Sequence, residues 1–147
     1  VMYMSDLKVI VNARSENATK TVAQARGFTL VIDEPDTFGG QDEGANPVEY
    51  LLASLTGCLG VVCNMVAKEM NFELKGLDIE VEGDLNPKKL MGLSDRERAG
   101  FKEIRVKLTP HADADAKTLK EWLETVESRC PISDNIANPT PVSITLA

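Results

Sequence analysis

The sequence predicts an α+β protein with a mostly antiparallel sheet. Three stretches of alternating apolar residues come first. A long apolar helical stretch, two more alternating stretches, an amphipathic helix and a last alternating stretch follow. Strands grouped in runs around helices are typical of this class. With 147 residues, 43% of them hydrophobic, the chain is long enough for a core, and we expect a single domain over residues 1–147.

The first third of the chain is predicted to form an antiparallel meander of three strands. Apolar and polar side chains alternate over residues 6–13, 20–25 and 28–33, which is the period of a half-buried strand. A turn is expected at residues 14–17. Residues 34–45 contain Pro and paired Gly, so we expect a loop that leads into the long helix.

The central feature is a long apolar stretch over residues 46–70. Asn46 and Glu49 have the spacing of a capping box, which indicates a helix start. No charged side chain occurs between Tyr50 and Ala67, so the helix lacks the polar stripe of a surface helix and is predicted to be buried nearly all round. A close homodimer, in which each copy covers the helix of the other, is our hypothesis for this burial.

The second half of the chain is predicted to continue the sheet and add a second helix. Leu77, Ile79 and Val81 alternate with acidic residues. Pro131 interrupts the second helix and suits the first turn of a new one. The expected elements are a strand over 71–82, a loop over 83–100 with a short helix near 87–91, a strand over 101–108, a helix over 113–129, a short helix to about 137 and a closing strand over 142–146.

The overall charge argues against two kinds of partner. A formal net charge of −7 argues against nucleic acid and against anionic membrane surfaces, because both favour basic proteins.

No unbroken run of 18 apolar residues is present, so we expect no membrane span. The first residues lack a basic-then-apolar signal pattern, and we expect a cytoplasmic protein. Three cysteines are too few for a secreted disulfide scaffold, which leaves buried thiols, metal ligands or redox chemistry.

Two of the cysteines have surroundings that suggest chemistry. Cys58 lies between glycines on the apolar helix and is the first candidate. Cys130 directly precedes a predicted helix start, where unsatisfied N–H groups favour a thiolate. Cys63 is five residues beyond Cys58, about 140° round the helix, and is interpreted as core packing. His111 and the cysteines lack short ligand spacing, so a metal site is not expected. Taken alone, each cysteine is more often a small core residue than a catalyst.

The residues around both candidate cysteines resemble a known family. The motifs are Gly39-Gly40, the stretch Gly44-Ala45-Asn46-Pro47-Val48-Glu49-Tyr50-Leu51-Leu52-Ala53-Ser54-Leu55-Thr56-Gly57-Cys58, and Arg129-Cys130-Pro131-Ile132-Ser133 followed by Asn138-Pro139. They resemble the osmotically inducible protein C / organic hydroperoxide resistance (OsmC/Ohr) family. Asp33-Glu34-Pro35 and the 83–104 segment resemble its general OsmC-like branch. The resemblance covers almost the whole chain and implies an intertwined homodimer, with curved sheets wrapped around two central helices.

The resemblance also implies an activity, which is thiol-dependent reduction of organic, hydrophobic hydroperoxides to alcohols. In that chemistry Cys58 attacks the peroxide and becomes a sulfenic acid. Cys130 then condenses with Cys58 to a disulfide, and an external dithiol reduces that disulfide. The implied partners are a small-molecule hydroperoxide, the dithiol and a second copy of the chain. No metal or organic cofactor is implied.

One part of the family pattern is altered in this sequence. In the hydroperoxide resistance branch, a glutamate just before the cysteine helix holds an arginine that supports the thiolate. Val48 occupies the place of that glutamate, and Glu49 follows one position later, turned by about 100° on a helix. Glu49 either orients an arginine or only completes the capping box. Arg26 is favoured over Arg14 as that arginine, and both are also consistent with plain surface charge.

The Val48 departure keeps two other functions open. One is a non-enzymatic, redox-responsive or hydrophobic-ligand-binding protein that retains both thiols and reduces peroxide poorly. The other is a structural stress protein with inert buried thiols. The 83–100 loop is interpreted either as a lid over Cys58 or as a surface excursion.

Overall fold

The computed structural model of the protein describes residues 4–147. The elements in chain order are β1 (Asn12–Ser15), β2 (Thr21–Ala25), β3 (Phe28–Ile32), a 3-10 helix (Asp36–Phe38), α1 (Pro47–Glu69), β4 (Gly76–Leu85), β5 (Phe101–His111), α2 (Ala116–Arg129) and α3 (Pro131–Ala137). The predicted α+β class with antiparallel pairing is confirmed. The chain divides into two compact units, one that ends at Leu51 and one formed by Leu52–Ala147. That residues 1–147 act as one domain stays a prediction.

The first unit contains the predicted three-stranded meander, in the order β1-β2-β3. Ala23 is buried at its centre and pairs with Ala13 on one side and Leu30 on the other. The predicted first strand was displaced, because β1 begins at Asn12 and residues 4–11 have no regular secondary structure. Consequently Arg14 lies in a strand rather than in the turn predicted for it. The apolar alternation in residues 6–13 is therefore exposed in the single chain.

A buried carboxylate orders the loop before α1. Asp33 follows β3 and is fully buried, and its two oxygens accept hydrogen bonds from the backbone N–H groups of Glu34 (2.8 Å) and Glu43 (3.2 Å). Burial raises the pKa of Asp33, but these and further hydrogen bonds outweigh it and hold the pKa below its usual value. The glycines of the family motif fit this loop tightly, because a Cβ at Gly40 or Gly44 would collide with a backbone carbonyl. The loop therefore requires glycine at these two positions of the motif.

Helix α1 begins with the predicted capping box. The Asn46 side chain accepts a hydrogen bond from the Glu49 N–H at 2.9 Å, and Glu49 Oε1 accepts one from the Asn46 N–H at 2.9 Å. Burial all round the helix was a wrong prediction for the single chain, since Val61 and Met65 are 61% and 48% exposed. Six residues of α1 are buried: Leu55, Leu59, Val62, Cys63, Val66 and Ala67. The helix thus has one packed face and one exposed apolar face.

By length and composition alone, α1 is also long and apolar enough to cross a membrane. It passes that test without an unbroken run of 18 apolar residues. Core helices of soluble proteins pass the same test.

The second unit packs a two-stranded antiparallel sheet and two helices on α1. Strands β4 and β5 pair from Gly76 opposite His111 to Leu85 opposite Phe101. Their apolar side chains join a core that α2 completes with Trp122. Trp122 is 2% exposed and so lies in this core.

Several boundaries in this unit differ from prediction. Strand β4 begins at Gly76, five residues later than expected, and α2 begins after its N-cap Asp115. The short helix near 87–91 is a single turn, in which the Met91 N–H donates to the Pro87 carbonyl. The short helix α3 is confirmed. The closing strand is not formed within the described part of the chain, where Ile144 is 92% exposed.

Candidate active site

The second unit brings the two candidate cysteines into contact. The Sγ atoms of Cys58 and Cys130 lie 3.0 Å apart, although 72 residues separate them in sequence. Both are free thiols. Cys58 is half-buried in the middle of α1, and Cys130 is 1% exposed. A disulfide bond is about 2.05 Å long, so a movement of about 1 Å would join the two sulfurs.

Cys130 is positioned by the junction of two helices. It ends α2 and is the N-cap residue of α3, as predicted, and Pro131 occupies the first turn of α3. Its Sγ accepts a hydrogen bond from the Ser133 N–H at 3.4 Å. The extended backbone that a cap residue requires therefore also directs this thiol at Cys58.

The surroundings of Cys58 favour the neutral thiol. Burial, and then the hydrogen bond with Cys130, raise the pKa of Cys58, while the backbone N–H of Ile132 acts in the opposite direction. A thiol with a raised pKa is mostly protonated at neutral pH, so only a small fraction of Cys58 is the nucleophilic thiolate.

Cys63 belongs to the core rather than to the thiol pair, as predicted. It is fully buried, and burial followed by the nearby Cys130 raises its pKa to about 11. Its carbonyl accepts a hydrogen bond from Trp122 Nε1 at 2.9 Å. Trp122 in turn meets Phe72 edge to face, with ring centres 6.1 Å apart.

A cavity of about 410 Å³ opens beside Cys58. Its lining consists of Cys58, Val61, Val62, Met65, Arg129 and Pro131. The volume is in the range of small-molecule sites in proteins, which are mostly apolar with a few polar groups. Here the polar groups are the thiol and one guanidinium, so the cavity suits an apolar molecule that reacts with a thiol.

The two predicted supporting residues both belong to the first unit, where each has another local partner. Glu49 is exposed, and its carboxylate completes the capping box. Arg26 lies in the turn between β2 and β3, with a φ of 55° and its guanidinium 4.9 Å from the centre of the Phe28 ring. The ion pairs found among residues 4–147 do not join Arg26 to Glu49. Their action on Cys58 stays a prediction.

Sequence reasoning missed the ion pair that another arginine forms at the site. Arg129, the last residue of α2, forms a bidentate ion pair with Glu69, the last residue of α1. The Nη2 atom of Arg129 lies 3.1 Å from Oε1 of Glu69. The hydrogen bond from Arg129 lowers the pKa of Glu69. The only sequence signal was the place of Arg129 directly before Cys130, since its partner is 60 residues away.

Metal binding has no geometric support in the part of the chain that the structure describes. No three His, Cys, Asp or Glu side chains within residues 4–147 are grouped closely enough to hold a metal ion. Of the residues that line the cavity, Cys58 and Arg129 are the ones that carry a thiol or a charged group.

The fold and the site together define a class of α+β proteins in which a cysteine on a long helix meets a second cysteine at the cap of a short helix. The family model described as OsmC-like protein matches residues 40–145, and the chain belongs to this family. The predicted resemblance is thereby confirmed. No curated protein matches the chain.

Solved structures share the fold at low sequence identity. An OsmC-like protein from Mycoplasma pneumoniae is 21% identical, with a TM-score of 0.79 over 90% of this chain and 89% of that one. An organic hydroperoxide resistance protein, OsmC, from Legionella pneumophila is 18% identical, with a TM-score of 0.64 over 90% and 91%. The organic hydroperoxide resistance protein OhrB of Bacillus subtilis is 25% identical, with a TM-score of 0.56 over 87% and 89%.

Proposed function

We propose that the protein is a thiol-dependent peroxidase that reduces organic hydroperoxides to alcohols. The observation that carries the proposal is the 3.0 Å contact between two free thiols beside an apolar cavity. Two similar structures are named organic hydroperoxide resistance proteins, which supports the same chemistry.

The proposed reaction uses both thiols in sequence. The Cys58 thiolate attacks the outer oxygen of the hydroperoxide, the O–O bond breaks, and the leaving alkoxide takes a proton to become the alcohol. Cys58 is then a sulfenic acid. The Cys130 sulfur attacks the Cys58 sulfur, water leaves with the sulfenic oxygen, and a disulfide forms. An external dithiol reduces this disulfide by two exchange steps and is itself oxidised to a disulfide.

The contact between the thiols supports the second step more strongly than the first. A sulfur held 3.0 Å away can trap the sulfenic acid before further oxidation. The first step depends on the minor thiolate fraction of Cys58, which the Ile132 N–H favours. Support of the thiolate by Arg26 and Glu49 remains part of the proposal, with the capping box as the competing role of Glu49.

The proposal includes a homodimer in a reducing compartment such as the cytoplasm. Reduction of the disulfide by an external dithiol requires such a compartment. A second copy could cover two exposed apolar regions of the chain. One is the exposed part of α1, where Val61 is 61% exposed, and the other is the C-terminal segment that includes Ile144. Sedimentation at twice the mass of one chain is expected, and a monomer at micromolar concentration would contradict this part.

The raised pKa of Cys58 favours a second candidate function. A thiol that is mostly protonated reacts slowly with peroxides, while the same apolar cavity can retain a hydrophobic ligand. The alternative is thus a redox-responsive or ligand-binding protein with little peroxidase activity.

Intact mass and peptide mapping after one equivalent of oxidant separate the two functions. With cumene hydroperoxide we expect loss of the two thiol hydrogens, mapped to a Cys58–Cys130 disulfide, faster than with hydrogen peroxide. Cys58→Ser should abolish the reaction, and Cys130→Ser should leave Cys58 over-oxidised or as an adduct. A folded protein that neither peroxide changes would instead support the ligand-binding function.

A further inference from the structure

We propose that Arg129, held by Glu69, is a specificity-determining residue of the Cys58 cavity that recognises an anionic group on the entering molecule. This inference deepens the proposed function and rests on it for the identity of the substrate. The ligand class is an apolar hydroperoxide that carries a negatively charged group such as a carboxylate.

The lining of the cavity carries the first step of the argument. Apart from the Cys58 thiol, Arg129 is joined there by the apolar side chains of Val61, Val62, Met65 and Pro131. A single cation beside an apolar surface attracts anionic ligands and leaves neutral ligands unaffected, although water and salt weaken this attraction where the cation is partly exposed. Arg129 and Cys58 both line this cavity, so a molecule bound in it can contact both residues.

The pairing with Glu69 carries the second step. Two nitrogens of Arg129 bind the two carboxylate oxygens of Glu69, which orients the planar guanidinium. A guanidinium has five N–H donors, so donors remain for a ligand. The Arg129 side chain is 39% exposed, which leaves it accessible. Glu69 thus positions the cation and also competes with an entering anion for it.

A purely structural role for the pair makes a different prediction. Arg129 ends α2, where a cation is favourable at the helix C-terminus, and the pair links α2 to α1. If the pair only linked the two helices, loss of either residue would lower the stability of the protein in the same way and would not change its preference between anionic and neutral ligands. If Arg129 recognises anions, removing Arg129 and removing Glu69 must have opposite effects, because Glu69 is the competitor.

The test compares two alkylating agents at Cys58, the anion iodoacetate and neutral iodoacetamide. Both react with the thiolate, so the ratio of their rates at one pH is independent of the Cys58 pKa. Rates are followed by mapping the Cys58 peptide at low ionic strength. We expect Arg129→Gln to lower the iodoacetate-to-iodoacetamide ratio about threefold or more and Glu69→Gln to raise it. Arg129→Lys, which keeps the charge, should lower it less, and salt should reduce the wild-type ratio.

Arg105→Gln is the matched control. Arg105 is also an arginine bound by carboxylates, those of Glu82 and Asp84, but it lies on β5 and does not line the cavity. The control changes the net charge as Arg129→Gln does, and its ratio should equal that of the wild type. Equal effects of the two arginine substitutions, or shifts of the same sign for Arg129→Gln and Glu69→Gln, would overturn the proposal. If Arg129→Gln does not fold, the Glu69→Gln shift and the salt dependence still decide it.

A second arm separates this inference from the proposed function. Oxidation rates are compared for cumene hydroperoxide and a hydroperoxide that bears a carboxylate, and Arg129→Gln should selectively slow the latter. Absence of oxidation by both peroxides in the wild type, with the alkylation ratios as expected, would reject the peroxidase and retain anion recognition by Arg129. Normal peroxide oxidation with unchanged alkylation ratios would reject Arg129 and retain the peroxidase.

Discussion

Oxidation of the thiol pair should stabilise the protein by an amount that follows from the position of the two cysteines. A Cys58–Cys130 bond would close a loop spanning 72 residues. The chain-entropy relation for crosslinks gives about 4 kcal/mol for a loop of this length at 25 °C, provided that the native structure accepts the bond without strain. For a chain of this size that corresponds to a rise in Tm of roughly 8–16 °C.

Trp122 provides the assay for this prediction. It is the only tryptophan in the sequence, and it is buried beside Cys63 in the unit that contains the thiol pair. Urea unfolding would be followed by its fluorescence for the reduced protein and for protein oxidised and mapped to the Cys58–Cys130 disulfide. The control is Cys130→Ser treated identically, for which no stabilisation is expected.

The reasoning would be refuted by an oxidised protein that is no more stable than the reduced one. That result would mean that the bond forms only by distorting α1 or the junction of α2 and α3. The thiol contact of 3.0 Å would then be a packing contact and not a geometry prepared for a disulfide.

Three further predictions concern ionisation and the start of α1. Because the pKa of Cys58 is raised, its alkylation rate should keep rising with pH beyond about pH 9.5, where an ordinary thiol with a pKa of about 8.5 is almost fully ionised and its rate levels off; a plateau at or below that pH would contradict the structure. The pKa of Cys63 is raised to about 11 in the folded protein, so the Cys63 thiol ionises at lower pH in the unfolded chain than in the folded one. Rising pH therefore favours unfolding, and about 2 kcal/mol of stability should be lost between about pH 9 and pH 11. The Cys63→Ala variant should not show this loss. Asn46→Ala should cost about 1 kcal/mol in urea unfolding, whereas Glu49→Gln retains the capping box and should cost less.

The parts of the fold that were predictable from sequence depend on neighbouring residues. The Asn46–Glu49 capping box and the place of Cys130 before Pro131 follow from backbone rules that act within four residues, and both were confirmed. The buried position of Cys63 followed from helical geometry in the same way. Local chemistry fixes these features before any distant part of the chain is in place.

The features that local sequence patterns do not identify depend on distant partners. The Arg129–Glu69 pair spans 60 residues, and no local pattern identifies which of many acidic residues meets a given arginine. The pairing of Cys58 with Cys130 spans 72 residues and was expected only from the family resemblance. Helix and strand periods locate elements along the chain, but they do not say which side chains from different elements will meet.

The strands predicted wrongly at the two ends of the chain have a common physical cause. The alternation of apolar residues around Val9 and Ile144 indicates that each segment suits a half-buried strand. It does not identify the strand or surface that covers the apolar side of that segment. Both residues are highly exposed in the single chain, at 83% and 92%, as is part of α1. Two residues on that exposed part of α1, Val61 and Met65, also line the cavity beside Cys58. In the proposed homodimer, a second copy that covered α1 would therefore also narrow the entrance to the thiol pair and exclude water around Arg129. Assembly and substrate recognition would then depend on the same residues of one helix.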